Sequence, residues 1–178
     1  MKITNQILKF CILNCSNPFQ KKNSLSFQKI ISQARRILII TPFGNTPVFD
    51  KTLINAIIKL FPDQICTFLS THELDMSSID TTYKWMVVDP GNLSLWRFAR
   101  SPIKEQLGQT RIDLLIDLDP QFNLISAYLC KTLVTNLRVS LEKEGSEQLS
   151  NFQFNTSAHT PYNDQIKTVI SVLKTFLK

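Results

Sequence analysis

Glycine is scarce, with four in 178 residues. That count disfavours all-β designs, which consume glycine at their turns. The four cysteines, Cys11, Cys15, Cys66 and Cys130, form no Cys-x-x-Cys pair, and neither His72 nor His159 joins them in a zinc-ligand spacing. A zinc site and a disulfide framework are both disfavoured, and a reducing, cytoplasmic compartment fits. No apolar run approaches the length of a membrane span. The dinucleotide fingerprint Gly-x-Gly-x-x-Gly, the phosphate-loop pattern of nucleotide triphosphatases and the Gly-x-Ser-x-Gly nucleophile turn are all missing. Acidic residues are absent from the first 49 positions, and Asp50 is the first.

What is present suits one globular domain. Apolar residues make up 43% and aromatic residues 10%, enough to build a core. The net charge of +6 is unevenly placed: residues 1–49 hold Lys2, Lys9, Lys21, Lys22, Lys29, Arg35 and Arg36, which leaves −1 for the rest. The basicity therefore belongs to an N-terminal arm, and a nucleic-acid ligand is not expected for the near-neutral remainder. The arm is either simply solvated or makes peripheral contact with an anionic membrane or RNA. Its first residues read as an amphipathic helix over 3–13, covering Ile7, Leu8, Cys11 and Ile12, followed by a polar linker. A lipoprotein signal fits less well, because Asn14 precedes Cys15 and Lys9 interrupts the apolar run; a transit peptide is the other reading. The expected division is a basic arm over 1–34 and a single domain over 35–178.

Residues 27–34 form a second short amphipathic segment. Ile37–Ile40 is a continuous β-branched and apolar run, as in strands buried on both faces. A helix over 49–60 follows, with Leu53, Ile54, Ile57, Ile58 and Phe61 at helical spacing, stopped by Pro62. Strands are expected at 65–70, 84–88, 112–118, 137–141 and 152–155. Helices are expected over 93–107, interrupted at Ser101-Pro102, over 122–133, and over 164–177 with Ile166, Val169, Ile170, Val172, Leu173 and Phe176 inward. Residues 142–150 read as a charged loop. This alternation predicts an α/β, three-layer Rossmann-like domain, with a mostly parallel sheet of about five to six strands and helices on both faces.

Ligands in such sheets bind beyond the carboxyl ends of the strands. The candidate ligand-binding residues are therefore Gly44, Asn45, Asp89, Asp117 and Asp119. Gly44-Asn45 either presents backbone N–H groups to an anion at a helix start or forms an ordinary turn. Asp117 and Asp119 either hold Mg²⁺ and exchange protons, or one caps the following helix. Asp113 falls inside the strand run, near its solvated entrance. Cys66, Cys130, Trp85 and Trp96 read as core, although Trp85, Trp96 and Phe98 are the residues that would line a stacking surface. His159 reads as part of a surface loop.

Two resemblances attach to these residues. RRILIITPFGNTPVFDKTLINAIIKLFPDQICTFLS and RIDLLIDLDPQFNLISAYLCKTLVTNLRVSL resemble the N-terminal domain of heptosyltransferases, glycosyltransferase family nine, and AHTPYNDQIKTVISVLKTFL resembles its closing helix. The likeness covers residues 35–177. It implies a Rossmann-like fold and, in a complete enzyme, a second such domain that binds the nucleotide sugar. The family's Gly-Asp loop carries the proposed catalytic base, and Asn45 stands at that place here. An amide does not accept a hydroxyl proton as a carboxylate does. The chain also resembles a short Bacteroidetes family without a known activity. The shared features are the basic N-terminal helix, the Ile112–Ile116 strand, Arg138-Val139 and the Leu173–Leu177 ending.

The expectation is thus a non-catalytic binding or scaffolding domain, similar to half a glycosyltransferase, with a protein partner, no cofactor and no metal. One alternative is a subunit of a split glycosyltransferase, or a small-ligand enzyme, using Asp117 or Asp119. Another is a membrane- or RNA-associated module acting through the arm.

Overall fold

In a computed structural model the described residues are 6, 11–12, 26–43, 51–71, 83–89, 94–156 and 160–177. Six strands form one sheet: β1 Arg36–Ile40, β2 Ile65–Ser70, β3 Lys84–Val87, β4 Leu114–Asp117, β5 Leu137–Leu141 and β6 Phe152–Phe154. Every neighbouring pair runs parallel, in the order β3-β2-β1-β4-β5-β6. The helices are α1 Phe27–Gln33, α2 Lys51–Ile58, α3 Leu95–Ala99, α4 Pro102–Gln109, α5 Leu124–Thr132 and α6 Tyr162–Phe176. The predicted α/β architecture with six strands is present.

Strand periodicity divides the core into two layers. Successive side chains along a strand point to opposite faces. Ile37 and Ile39 of β1, with Cys66, Phe68, Leu114, Ile116 and Val139, pack under α1, α2 and α6 through Ile31, Ile54, Ile57, Ile166 and Val169. The intervening Leu38, Ile40, Leu69 and Leu115 pack on the other face against Phe98, Leu107, Ile125 and Leu129 of α3, α4 and α5. Residues Gln6, Cys11 and Ile12 are helical, and Ile12 joins this second layer. Ile31 of α1 is fully buried, and Phe27 packs on Phe152 and Phe176 with ring centroids 4.7 Å apart in each case.

Local chemistry explains the helix boundaries. The Ser101-Pro102 interruption separates two helices, because the Ser101 hydroxyl accepts the Lys104 N–H and proline occupies the first turn of α4. The Asn123 side chain caps α5, accepting from the N–H groups of Ile125 and Ser126.

Two expectations fail. Trp96 is 61% exposed, not core. The short α3 turns Leu95 and Phe98 inward, three residues apart, and its remaining face carries Trp96 to the surface. Trp85 is half-buried and stacks on Phe68 at 5.1 Å. Asp113 is not a solvated strand entrance: its side chain is 14% exposed. It accepts the N–H groups of Arg35 at 3.0 Å and Arg36 at 3.1 Å, and pairs with Arg111 Nε at 3.3 Å. It lies just before β4, beside the entrance of β1, where backbone donors lack ladder partners, which a carboxylate satisfies.

Phe68 fills the first layer without exposure. Phe68→Ala is expected to lower the unfolding free energy by about 3–5 kcal/mol, measured by urea titration.

Candidate functional site

The strand order reverses between β1 and β4, so the crevice of this fold class opens beyond their carboxyl ends. β4 delivers Asp117 and Asp119 there, 2% and 1% exposed. Asp117 Oδ1 accepts the Asp119 N–H at 3.0 Å. Its Oδ2 accepts the Ser126 hydroxyl from α5 and the ammonium of Lys143 at 2.7 Å. Lys143 Nζ also donates to the Asp119 carbonyl at 2.8 Å. The Asp119 carboxylate accepts the Gln121 N–H at 3.0 Å and, across the switch point, the Phe43 N–H at 3.2 Å. The Tyr162 hydroxyl of α6 donates to the Leu118 carbonyl at 3.1 Å.

Lys143 reaches this centre because the loop after β5 doubles back. Gly145 has φ 77°, a left-handed conformation that suits glycine. Ser146, fully buried, donates both its N–H and its hydroxyl to the Lys143 carbonyl at 3.1 and 2.7 Å. The loop read as charged turns its lysine inward, with Ser146 and Leu149 buried beside it.

Burial pushes the Asp119 carboxyl up to about 6; the nearby Asp117 charge adds to this, while the Gln121 and Phe43 N–H groups and Lys143 oppose it. Burial also raises the Tyr162 phenol and pushes the Cys66 and Cys130 thiols up to about 12. These thiols are inert core groups rather than nucleophiles.

All four carboxylate oxygens of Asp117 and Asp119 thus accept donors from the chain itself. A metal ion there would share these oxygens with the Lys143 ammonium and backbone N–H groups. Among the described residues no group of three or more His, Cys, Asp or Glu is placed to hold a metal. Asp119 is not the cap of α5, a role that Asn123 fills; it closes its own turn and anchors the β1 loop.

The other predicted positions are dispersed. Gly44, Asn45, His72 and His159 lie outside the described residues. Asp89 is exposed beyond β3, three strand spacings from β4, or about 14 Å. The structure therefore joins Asp117 to Asp119 and leaves Asp89 apart. The sequence reading missed Lys143 and Ser126. The signal for Lys143 was its place two residues past β5, continuing the alternation of Val139 and Leu141.

Removing one partner of a buried ion pair strands the other charge. Lys143→Met is expected to cost about 3–5 kcal/mol in a urea titration, and Asp117→Asn in the same chain is expected to restore part of that loss. The raised carboxyl of Asp119 gives a second expectation. The folded state keeps the proton up to about pH 6, while the unfolded chain loses it near 3.8. The stability from this group is therefore full below the unfolded value and is lost as pH rises through about 6. Between about pH 4 and about pH 7 it is expected to fall by about 2 kcal/mol, and Asp119→Asn should flatten that slope in paired urea titrations.

No protein-family model matches the chain, and no curated protein sequence matches it. Solved structures do. The heptosyltransferase WaaC of E. coli, determined with ADP, aligns at 10% identity and a TM-score of 0.53, covering 77% of this chain and 46% of that one. The glycosyl transferase family 9 structure from Veillonella parvula DSM 2008 aligns at 14% identity and a TM-score of 0.55, covering 78% of this chain and 41% of that one. The chain spans less than half the length of either. At these identities the likeness is one of fold: this is a Rossmann-like α/β domain of the kind found in family 9 glycosyltransferase structures.

Proposed function

We propose that this glycosyltransferase-like domain binds or scaffolds and does not itself transfer a group at the carboxyl end of its sheet. The observation that carries the reading is the closure of the crevice carboxylates. Asp117 is held by Lys143, Ser126 and the Asp119 N–H, and Asp119 by the N–H groups of Phe43 and Gln121. A general base must be within reach of the substrate proton, and Asp117 and Asp119 are 2% and 1% exposed and already bonded within the protein. Asn45, where the resembling family carries its proposed base, supports the same reading.

The proposal includes a protein partner, and the exposed indole of Trp96 supports it, since exposed aromatic side chains often anchor such contacts. It also includes a reducing, cytoplasmic setting, supported by Cys11, Cys66 and Cys130 as free thiols. Among the described residues no helix is long and apolar enough to cross a membrane.

The test is nucleotide release from a panel of nucleotide-sugar donors incubated with the purified chain and a glycan acceptor. No release above the protein-free control is expected. Release that disappears in Asp117→Asn/Asp119→Asn would instead establish an enzyme.

A further inference from the structure

The opposite end of the sheet holds a groove of a different character. Its volume is about 470 Å³, and it is lined by Gln33, Arg35, Arg36, Arg111, Asp113 and Asn136. These residues stand where α1 runs into β1, where the chain enters β4, and where it enters β5. The size falls within the range of small-ligand sites.

Three arginines line this groove with one aspartate, a formal charge of +2. The carboxylate is already engaged. Asp113 Oδ2 accepts the backbone N–H groups of Arg35 and Arg36, and Oδ1 takes Arg111 Nε. Asp113 thus fixes the backbone from which two of the arginines project and orients the third. The guanidiniums of Arg35 and Arg36 have no hydrogen-bond or ion-pair partner among the described residues. Arg111 keeps its terminal nitrogens available, with its side chain 75% exposed. The groove therefore offers several planar donor forks, held together from three strand entrances.

We propose that this groove binds a phosphoryl or diphosphate group of a soluble small molecule. A single carboxylate brings one charge and two acceptor oxygens, fewer than the site presents. A phosphoryl group brings close to two charges and three oxygens, which match a +2 groove of bidentate arginines. The concave shape favours a compact ligand. This site is independent of the crevice at the carboxyl end and stands whether or not that crevice catalyses.

The experiment is isothermal titration of the full chain with inorganic pyrophosphate at low ionic strength. Saturable one-to-one binding is expected, weakening as salt is raised. Arg35→Gln/Arg36→Gln is expected to weaken it about tenfold or more. Among the described residues those side chains make no hydrogen bond or ion pair, so an unchanged thermal unfolding midpoint should accompany the loss. Arg97→Gln/Arg100→Gln removes the same charge outside the groove and should leave binding within about twofold. Absence of saturable binding, or equal weakening by the two double variants, would overturn the proposal. A vesicle arm identifies the source of the phosphate. No co-sedimentation with phosphatidylcholine vesicles containing phosphatidic acid supports a soluble ligand. Co-sedimentation that pyrophosphate reverses would overturn the soluble source in favour of a lipid headgroup.

Discussion

The buried pair of Lys143 and Asp117 organises the carboxyl end of the sheet. One ammonium, arriving from the loop after β5, bonds both the side chain that ends β4 and the carbonyl of Asp119 beyond it. Asp117 in turn holds Ser126 on α5 and the Asp119 N–H. Asp119 then reaches across the switch point to the loop after β1. Two carboxylates and one lysine thus decide how three neighbouring strands hand their chain to the loops above them. Isolated charges at such depth are expensive to desolvate, and they persist here because every partner in the group is another fixed part of the chain.

The amino end of the sheet repeats the device with the opposite result. Asp113 gathers the entrances of β1 and β4 through two backbone N–H groups and Arg111. At the carboxyl end the polar groups of Asp117, Asp119, Ser126 and Lys143 bond one another. At the amino end one carboxylate is outnumbered by three guanidiniums, and donors are left facing solvent. Asp113, just before β4, and Asp117, at its end, anchor the two arrangements four residues apart, and the side chains between them are wholly apolar. A Rossmann-like sheet can thus carry different polar chemistry at its two ends, because the sheet that defines the fold depends on neither.

Much of this architecture was legible in the chain. The run Ile37–Ile40 has no polar position, which only a strand covered on both faces tolerates, and the structure buries all four residues. The helical spacing of Leu53, Ile54 and Ile57, and of Ile166, Val169 and Leu173, marked the faces that α2 and α6 bury. Trp96 was misread because hydrophobicity alone cannot tell which way a five-residue helix is rotated. Asp113 was misread because its backbone donors lie 77 and 78 residues away along the chain.

The amino-acid sequence by itself determined the alternation of elements, the parallel sheet and the arrival of Asp117 and Asp119 at a strand's carboxyl end. These follow from local periodicity and turn chemistry, which act over a few residues. Only the tertiary structure decided that the two carboxylates face inward, that Lys143 neutralises one of them from 26 residues away, and that Arg35, Arg36 and Arg111 share a groove. Electrostatic partnership depends on distance in space and on exclusion of water, and neither is written in the order of the residues.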